Sequence, residues 1–479
     1  MDSLKEKEEF KKTAQRLLDF IDASPSCYHV IDNLKKELKG YTELNEGEEF
    51  VLEPGKGYYA VRNSSAIIAF RIPEGIKDKG IDGFKISAAH SDSPAFKIKP
   101  EPEMKVEDHY VRLNTEKYGG MLMAPWLDRP LSVAGRVFTG KDGNIEEKLI
   151  NVDRDLLIIP NVAIHMNREV NNGYKYDAQV DMIPLFGAKT KDDEEMRSGA
   201  FDDIIASYAG VSKEEILGSD LFLYPRVKGT FLGADDEMIA DRALDDLQCV
   251  YGIVHGFIGS SRGEIVNGEA GSDGVCIGEA GSDEAVSGEA GSYIPMCCVF
   301  DNEEVGSLTR QGADSDFLYD ILYRITEAVG RIPDRDRGTR TEGDTGAMFM
   351  RLMSGSFMIS ADNAHAVHPN HTEYADPTNR PYLNMGVVLK SNAAQKYTTD
   401  GFTYAKITAL AEAAEVPLQS YTNKSNIAGG STLGNLSGRH VSIPTADIGL
   451  PQLAMHSCYE TGGTYDTGYL IRLIRQFYK

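Results

Sequence analysis

The sequence predicts an α/β protein interrupted by an inserted β-rich segment, and three observations carry that prediction. Short apolar runs such as FKISAAH, IPMCCVF and SFMISAD alternate with helical patterns toward both ends of the chain. Between about residues 100 and 233 the alternation stops, and short strand-like runs such as LSVAGRVFT and DLLIIPNVAIHM dominate, with few helical patterns. At 479 residues the chain exceeds what one ordinary core organises, which favours two domains. The expected division is an α/β domain over 1–99 and 234–479, and a β-rich domain over 100–233.

Each element has a local reason. Residues 3–23 form an amphipathic helix with Phe10, Leu17, Leu18, Phe20 and Ile21 on one side and Pro25 beyond its end. A second helix carries Val30, Ile31, Leu34 and Leu38 and stops at Gly40. Strands follow at YYAVR, SAIIAFRI and FKISAAH, separated by Gly, Pro and Asn. After the β-rich segment come a helix near 241–258, a strand at 294–300, a helix near 314–330, a strand at SFMISAD and a last helix at 466–478. Between Gly263 and Tyr293 lie eight glycines and seven acids with no Lys or Arg, and GEAGSD, GEAGSD and GEAGSY recur with a period of ten. Copies so short and polar bury no core, so 260–293 reads as a flexible acidic surface loop, with a calcium or partner site as the other reading.

Composition narrows the partners. Hydrophobic residues at 41% and charged residues at 26% describe a soluble globular protein, and a net charge of -23 argues against nucleic acid or an anionic membrane. The opening MDSLKEKEEFKK has no apolar leader, and no run approaches a membrane span. The cysteines (Cys27, Cys249, Cys276, Cys297, Cys298 and Cys458) are scattered without a CxxC pair. They read as buried thiols, which places the protein in a reducing, cytoplasmic compartment. Cys297 and Cys298, neighbours in a strand, should face opposite sides of a sheet.

DNEEVGS, directly after IPMCCVF, sets Glu303 and Glu304 side by side where a buried strand ends. Two like charges there require a positive partner. KISAAH ends in His90, and Asp92, two residues on, faces the same side and can orient the imidazole. ALDDLQC puts Asp245 and Asp246 at a helix start, SFMISADNAHAVHPN puts Asp362 past a strand with His365 and His368 nearby, and LPQLAMHS supplies His456. Taken singly, each has a bland reading: a loop histidine, or a helix N-terminal acid. Together they match a dinuclear zinc centre, in which one carboxylate is shared, each ion takes roughly three protein ligands and a further carboxylate moves protons. His90, His456, Asp245, Glu304, Asp362 and Glu303 make up that set.

HSDSP, DNEEVGS, ISADNAHAVHPN and GLPQLAMHS, with SPSCYHV, WLDRPLSVAGRV and IPNVAIHMNREVNNG, resemble the aspartyl aminopeptidase family of dinuclear-zinc exopeptidases over nearly the whole chain. The resemblance implies an α/β, mixed-sheet zinc-peptidase domain interrupted by an inserted β-rich oligomerisation domain. It implies peptide substrates and a homo-oligomer, a dodecamer built from dimers. It implies two divalent metal ions per subunit, zinc with manganese or cobalt as alternatives. By the same resemblance Asp245 bridges, His90 and Asp362 hold one ion, Glu304 and His456 hold the other, Glu303 is the general base and then acid, and Asp92 steadies His90. The departure is at ALDDLQC, where two acids stand together and Asp245 rather than Asp246 is taken as the bridge. His165 matches a residue reaching a neighbouring subunit's active site. Lys390 and Tyr397 match the pocket for an acidic side chain, and GGSTLG, Gly429 to Gly434, would offer backbone amides near the substrate. The expected activity is removal of the N-terminal residue of peptides, acidic residues preferred. The alternatives are a neutral or apolar preference, another hydrolysis at the same kind of site, or a non-enzymatic oligomeric scaffold.

Overall fold

The computed structural model describes residues 3–141, 143–193, 198–261, 293–332 and 345–479; the repeats of the acidic segment and Cys276 lie outside them. The helices expected at the N-terminus span Ser3–Asp22 and Cys27–Glu37, and their apolar stripes, including Leu17, Ile21, Val30, Ile31 and Leu34, are buried.

A nine-stranded sheet is the centre of the α/β part. Its order is Thr42–Glu43, Gly57–Arg62, Ala66–Arg71, Tyr293–Phe300, Gly83–His90, Phe357–Ala361, Thr445–Gly449, Val387–Lys390 and Leu418–Tyr421. The four strands from Tyr293–Phe300 to Thr445–Gly449 run parallel, whereas Ala66–Arg71 runs antiparallel to both its neighbours and Val387–Lys390 antiparallel to Thr445–Gly449, so the sheet is mixed. Apolar side chains cover both faces, as a sheet flanked by helices requires. Cys297 and Val299 join the core with the Leu244–Gly259 and Asp466–Tyr478 helices, while Met296, Cys298 and Phe300 join the core with the Phe317–Gly330 and Thr345–Gly355 helices. The two adjacent cysteines thus point to opposite faces, and the cysteines among the described residues are free thiols.

A six-stranded antiparallel sheet draws its strands from Ala95–Val106, Tyr110–Tyr118, Leu131–Lys141, Asn144–Asn151, Leu185–Ala188 and Ile216–Pro225, and has its own core around Phe96, Leu113 and Trp126. Two details here differ from expectation. DLLIIPNVAIHM supplies only isolated bridges at Leu157 and Ile158, because Pro160 cannot donate to a ladder. A helix, Ala200–Ala209, closes this core with Phe201 and Ile205, where no helix was expected. A third sheet, of Thr230–Leu232, Met238–Asp241, Glu460–Gly463, Pro451–Leu453 and Ala364–His365, adjoins the carboxyl ends of the central strands. Among the described residues no helix is long and apolar enough to cross a membrane.

Phe84 is fully buried on the central strand Gly83–His90 and belongs to the core beneath the Phe317–Gly330 helix. Phe84→Ala should cost about 3–5 kcal/mol, read as a lower urea midpoint at fixed protein concentration.

Candidate metal centre

Parallel strands present their carboxyl ends at one edge, and there open α/β sheets collect ligands. Phe300 pairs with His90 in register, so Glu303 and Glu304, in the turn Glu303–Val305, fall beside the imidazole. Asp362 follows the next strand, Phe357–Ala361. The third sheet brings the remainder: Asp245 follows Met238–Asp241, and His456 lies between Pro451–Leu453 and Glu460–Gly463. Three of these loops pass through left-handed backbone at non-glycine residues, Ala243 (φ 56°), Asn302 (φ 62°) and His456 (φ 65°). Each costs on the order of 1–3 kcal/mol and persists only where the surroundings hold it.

The side chains converge in two overlapping groups. His90, Asp245, Asp246 and Asp362 form one, and Asp245, Glu304 and His456 the other; His90 also lies within reach of Glu303 and Glu304. Asp245 belongs to both. Its Oδ1 is 3.4 Å from His90 Nε2 and its Oδ2 is 3.5 Å from His456 Nε2, which in turn is 3.5 Å from Glu304 Oε2. These separations are too long for good hydrogen bonds. Asp245 Oδ1, Asp246 Oδ1 and Glu304 Oε1 are buried without a hydrogen-bond partner. Imidazole nitrogens and carboxylate oxygens are the donor set of zinc, and unpartnered buried oxygens within such groups fit a divalent cation.

Hydrogen bonds behind the ligands orient them. His90 Nδ1 donates to the Asp92 carbonyl at 3.1 Å and lies 3.4 Å from Asp92 Oδ1, which leaves Nε2 as the acceptor facing Asp245. Asp92 does more than steady His90. Its Oδ1 accepts the Glu303 N–H at 3.1 Å and its Oδ2 accepts the Glu304 N–H at 3.2 Å, so one carboxylate fixes both glutamates. Asp246 Oδ2 accepts the His90 N–H at 3.2 Å.

The six-stranded sheet closes the site. Tyr118, at the end of Tyr110–Tyr118, donates its hydroxyl to Asp92 Oδ2 at 2.7 Å and accepts from Asn302 Nδ2 at 2.7 Å. Leu122 N–H donates to the His456 carbonyl at 3.0 Å. At Gly119 (φ 80°) a Cβ would sit 3.1 Å from Glu304 Cβ, so glycine serves both the backbone and the close approach. Nothing in YGGM marked these residues as functional, because their partners lie far away in sequence.

Lys390 and Tyr397 are both buried, and the ammonium lies 5.2 Å from the ring centroid. Lys390 Nζ donates to the Asp362 carbonyl at 2.7 Å and stands 3.4 Å from Asp362 Oδ2. His165 is exposed in a turn of the 160–182 segment and joins neither group of ligands. Gly429 and Gly430 line a 270 Å³ cleft with His365, three residues beyond Asp362, and Ala454, two before His456. His368 lines the same cleft.

Electrostatics follow from burial. Burial pushes Glu303 up to about 8, with Asp362, Asp92 and Asp245 adding to the rise against the opposing pull of His90. Burial, reinforced by Asp245, drives Glu304 well above the usual carboxylate range. Burial likewise drives Asp246 up. Asp245 is the exception: burial would raise it, but His456 and His90 hold it below the ordinary value. His90 is raised well above its usual value, because Asp246, Asp245 and Asp92 outweigh its burial.

Comparison with known proteins places the chain in a family. The family model described as Aminopeptidase I zinc metalloprotease (M18) matches residues 20–277 and 276–478. A probable M18 family aminopeptidase 2 from Clostridium novyi (strain NT) is 42% identical over 472 residues, covering 98% of each chain. Among solved structures, the chain in a cryo-EM structure of an Ape4 and Nbr1 complex superposes with TM-score 0.84 at 30% identity, covering 98% of this chain and 86% of that one. The S. cerevesiae mApe1 dodecamer superposes with TM-score 0.78 at 24% identity, covering 98% and 96%, and shares the fold.

In the metal-free protein Glu303, Glu304, Asp246 and His90 all bind their protons more tightly folded than unfolded. The stability they contribute is present at low pH and is lost as pH rises; for Glu303 the window runs from 4.5 to about 8. Asp245 opposes them as a single group. The melting temperature of chelated protein should therefore fall between about pH 5 and 8, and a divalent cation, replacing the protons, should flatten that slope. A flat profile in chelator would contradict the charge arrangement.

Proposed function

Because the chain belongs to the M18 aminopeptidase family of zinc metallopeptidases, we propose that it removes the N-terminal residue of peptides with a pair of divalent cations, acidic residues preferred. The observation that carries the pair is Asp245, whose two oxygens face two different histidines. His90 and Asp362 would hold one ion with Asp245, and Glu304 and His456 the other. Bound there, such cations supply Lewis acidity, lowering the pKa of water, polarising the scissile carbonyl and giving a free α-amine a ligand position.

The chain's own groups do the rest. Glu303 faces the same centre and takes the proton from the attacking water, then passes it to the leaving amine. Its elevated pKa in the metal-free protein reflects burial first and the neighbouring carboxylates second, and added positive charge lowers it toward a base that is ionised at neutral pH. Asp92 holds the Glu303 N–H, so the glutamate's position is fixed by backbone rather than by a free side chain. The cleft bordered by Gly429 and Gly430 gives the substrate backbone a place beside the ligands.

Acidic preference rests on Lys390, which stays charged because Asp362, Tyr397 and Asp447 outweigh its burial. A second reading, neutral preference, is favoured by one observation: the Lys390 charge is already matched by Asp362. The mApe1 relative assembles as a dodecamer. For this chain we extend that to a homo-oligomer formed through the β-rich part, with the exposed Val162, Ile164, His165 and Met166 reaching a neighbouring copy's centre.

Two experiments test the proposal. Glu303→Gln should keep divalent metal uptake and lose turnover by about 10²–10⁴-fold; full activity in metal-loaded Glu303→Gln protein would refute its role. In a panel of aspartyl, glutamyl, leucyl and lysyl amides, Asp and Glu should be cleaved fastest, and N-acetylation should abolish cleavage. Fastest cleavage of Leu discards the acidic preference and keeps the mechanism.

A further inference from the structure

Glu460 has no place in the chemistry above, yet it is 1% exposed and lies directly behind the ligands. It opens the short strand Glu460–Gly463. Its Oε2 accepts the Asp245 N–H at 2.9 Å, and its Oε1 accepts the His456 N–H at 2.6 Å. The Gln452 side chain donates to the same Oε1 at 3.4 Å and accepts from Asn363 Nδ2 at 2.6 Å. A single carboxylate thus ties together the backbones of two ligands that are more than 200 residues apart in sequence. Backbone N–H groups held by one buried side chain fix where each ligand's side chain begins.

The other groups of the centre are anchored elsewhere. His90 N–H goes to Asp246, Glu303 and Glu304 go to Asp92, and the Asp362 carbonyl accepts from Lys390. We infer that Glu460 is a positioning residue that sets the spacing of Asp245 and His456, and so the cation affinity of the half-site that these two form with Glu304. The inference rests on the proposed dinuclear centre. Partners of this kind typically change metal affinity 10–100-fold when removed.

Glu460→Gln is the test, since it keeps the shape but offers one acceptor oxygen where two N–H groups need one each. Metal-free full-length wild-type and variant proteins are titrated with Zn²⁺ by calorimetry and with Co²⁺ by visible absorption. His456→Ala, which removes a ligand outright, identifies the half-site's uptake step. The expected result is that this step weakens 10–100-fold in Glu460→Gln, at least tenfold more than the other, with an altered Co²⁺ spectrum. Unchanged steps, or both weakened equally, overturn the role of Glu460 while leaving the dinuclear centre standing. A wild-type protein that takes up a single ion overturns the dinuclear centre, and the selective role with it. Glu460→Asp, which retains both oxygens on a shorter arm, carries the same readout if the Gln variant does not fold; an unchanged step there also overturns the inference.

Discussion

Like charges withdrawn from water repel strongly, and here the structure gathers Asp92, Asp245, Asp246, Glu303, Glu304 and Asp362 around one buried His90. Everything near the sheet edge answers that repulsion. Backbone N–H groups are aimed at the carboxylates that need no cation: Asp92 receives two from the glutamate turn, and Asp246 receives one from His90. Oxygens on Asp245, Asp246 and Glu304 receive none, and all three residues belong to groups that could hold a cation. The left-handed turns at Ala243, Asn302 and His456 follow from the same requirement, since regular backbone would carry the ligand side chains away from the common point.

The β-rich sheet is part of this solution. Tyr118 bridges Asp92 and Asn302, and the Leu122 N–H holds the His456 carbonyl, so the second sheet and the turn that follows Tyr118 hold groups on both sides of the centre. A shift of that sheet relative to the central one would move Asp92, and through it the backbone of both glutamates. Hydrogen bonds to charged groups contribute about 1.5–3 kcal/mol each, enough to couple the position of one sheet to the geometry of a site built on another.

How much of this was legible depended on where a residue's partners lie in sequence. The strand ends at His90, Glu303 and Asp362 were readable because each closes an apolar run, and a sheet edge is where polar groups can follow. Cys297 and Cys298 were readable from strand alternation alone. Tyr118, Gly119 and Glu460 were not: YGGM and YETGG carry no motif, and their roles exist only once the second and third sheets dock against the centre. DLLIIPNVAIHM was overread, because its apolar run suggested a strand and Pro160 left only two bridges. Ala200–Ala209 was missed because its apolar stripe, Phe201 and Ile205, is short and lies among strand-like neighbours. Lys390 was expected in a pocket for an acidic side chain, but a sequence cannot say whether an ammonium faces a cleft or a carboxylate. Here it faces Asp362.

That contact bears on how many cations the centre can hold. With these carboxylates ionised, Asp92, Asp245, Asp246, Glu303, Glu304, Asp362 and Glu460 carry seven negative charges, and Lys390 cancels one. One divalent cation would leave four uncompensated negative charges beside neutral imidazoles, in surroundings where residual charge is expensive. Two divalent cations would leave two. A small remaining negative charge would suit a site that attracts a substrate's α-ammonium and keeps one glutamate free to accept a proton. The Lys390 ammonium, by neutralising Asp362 from behind, would then make a pair of ions and an active base compatible in the same small space.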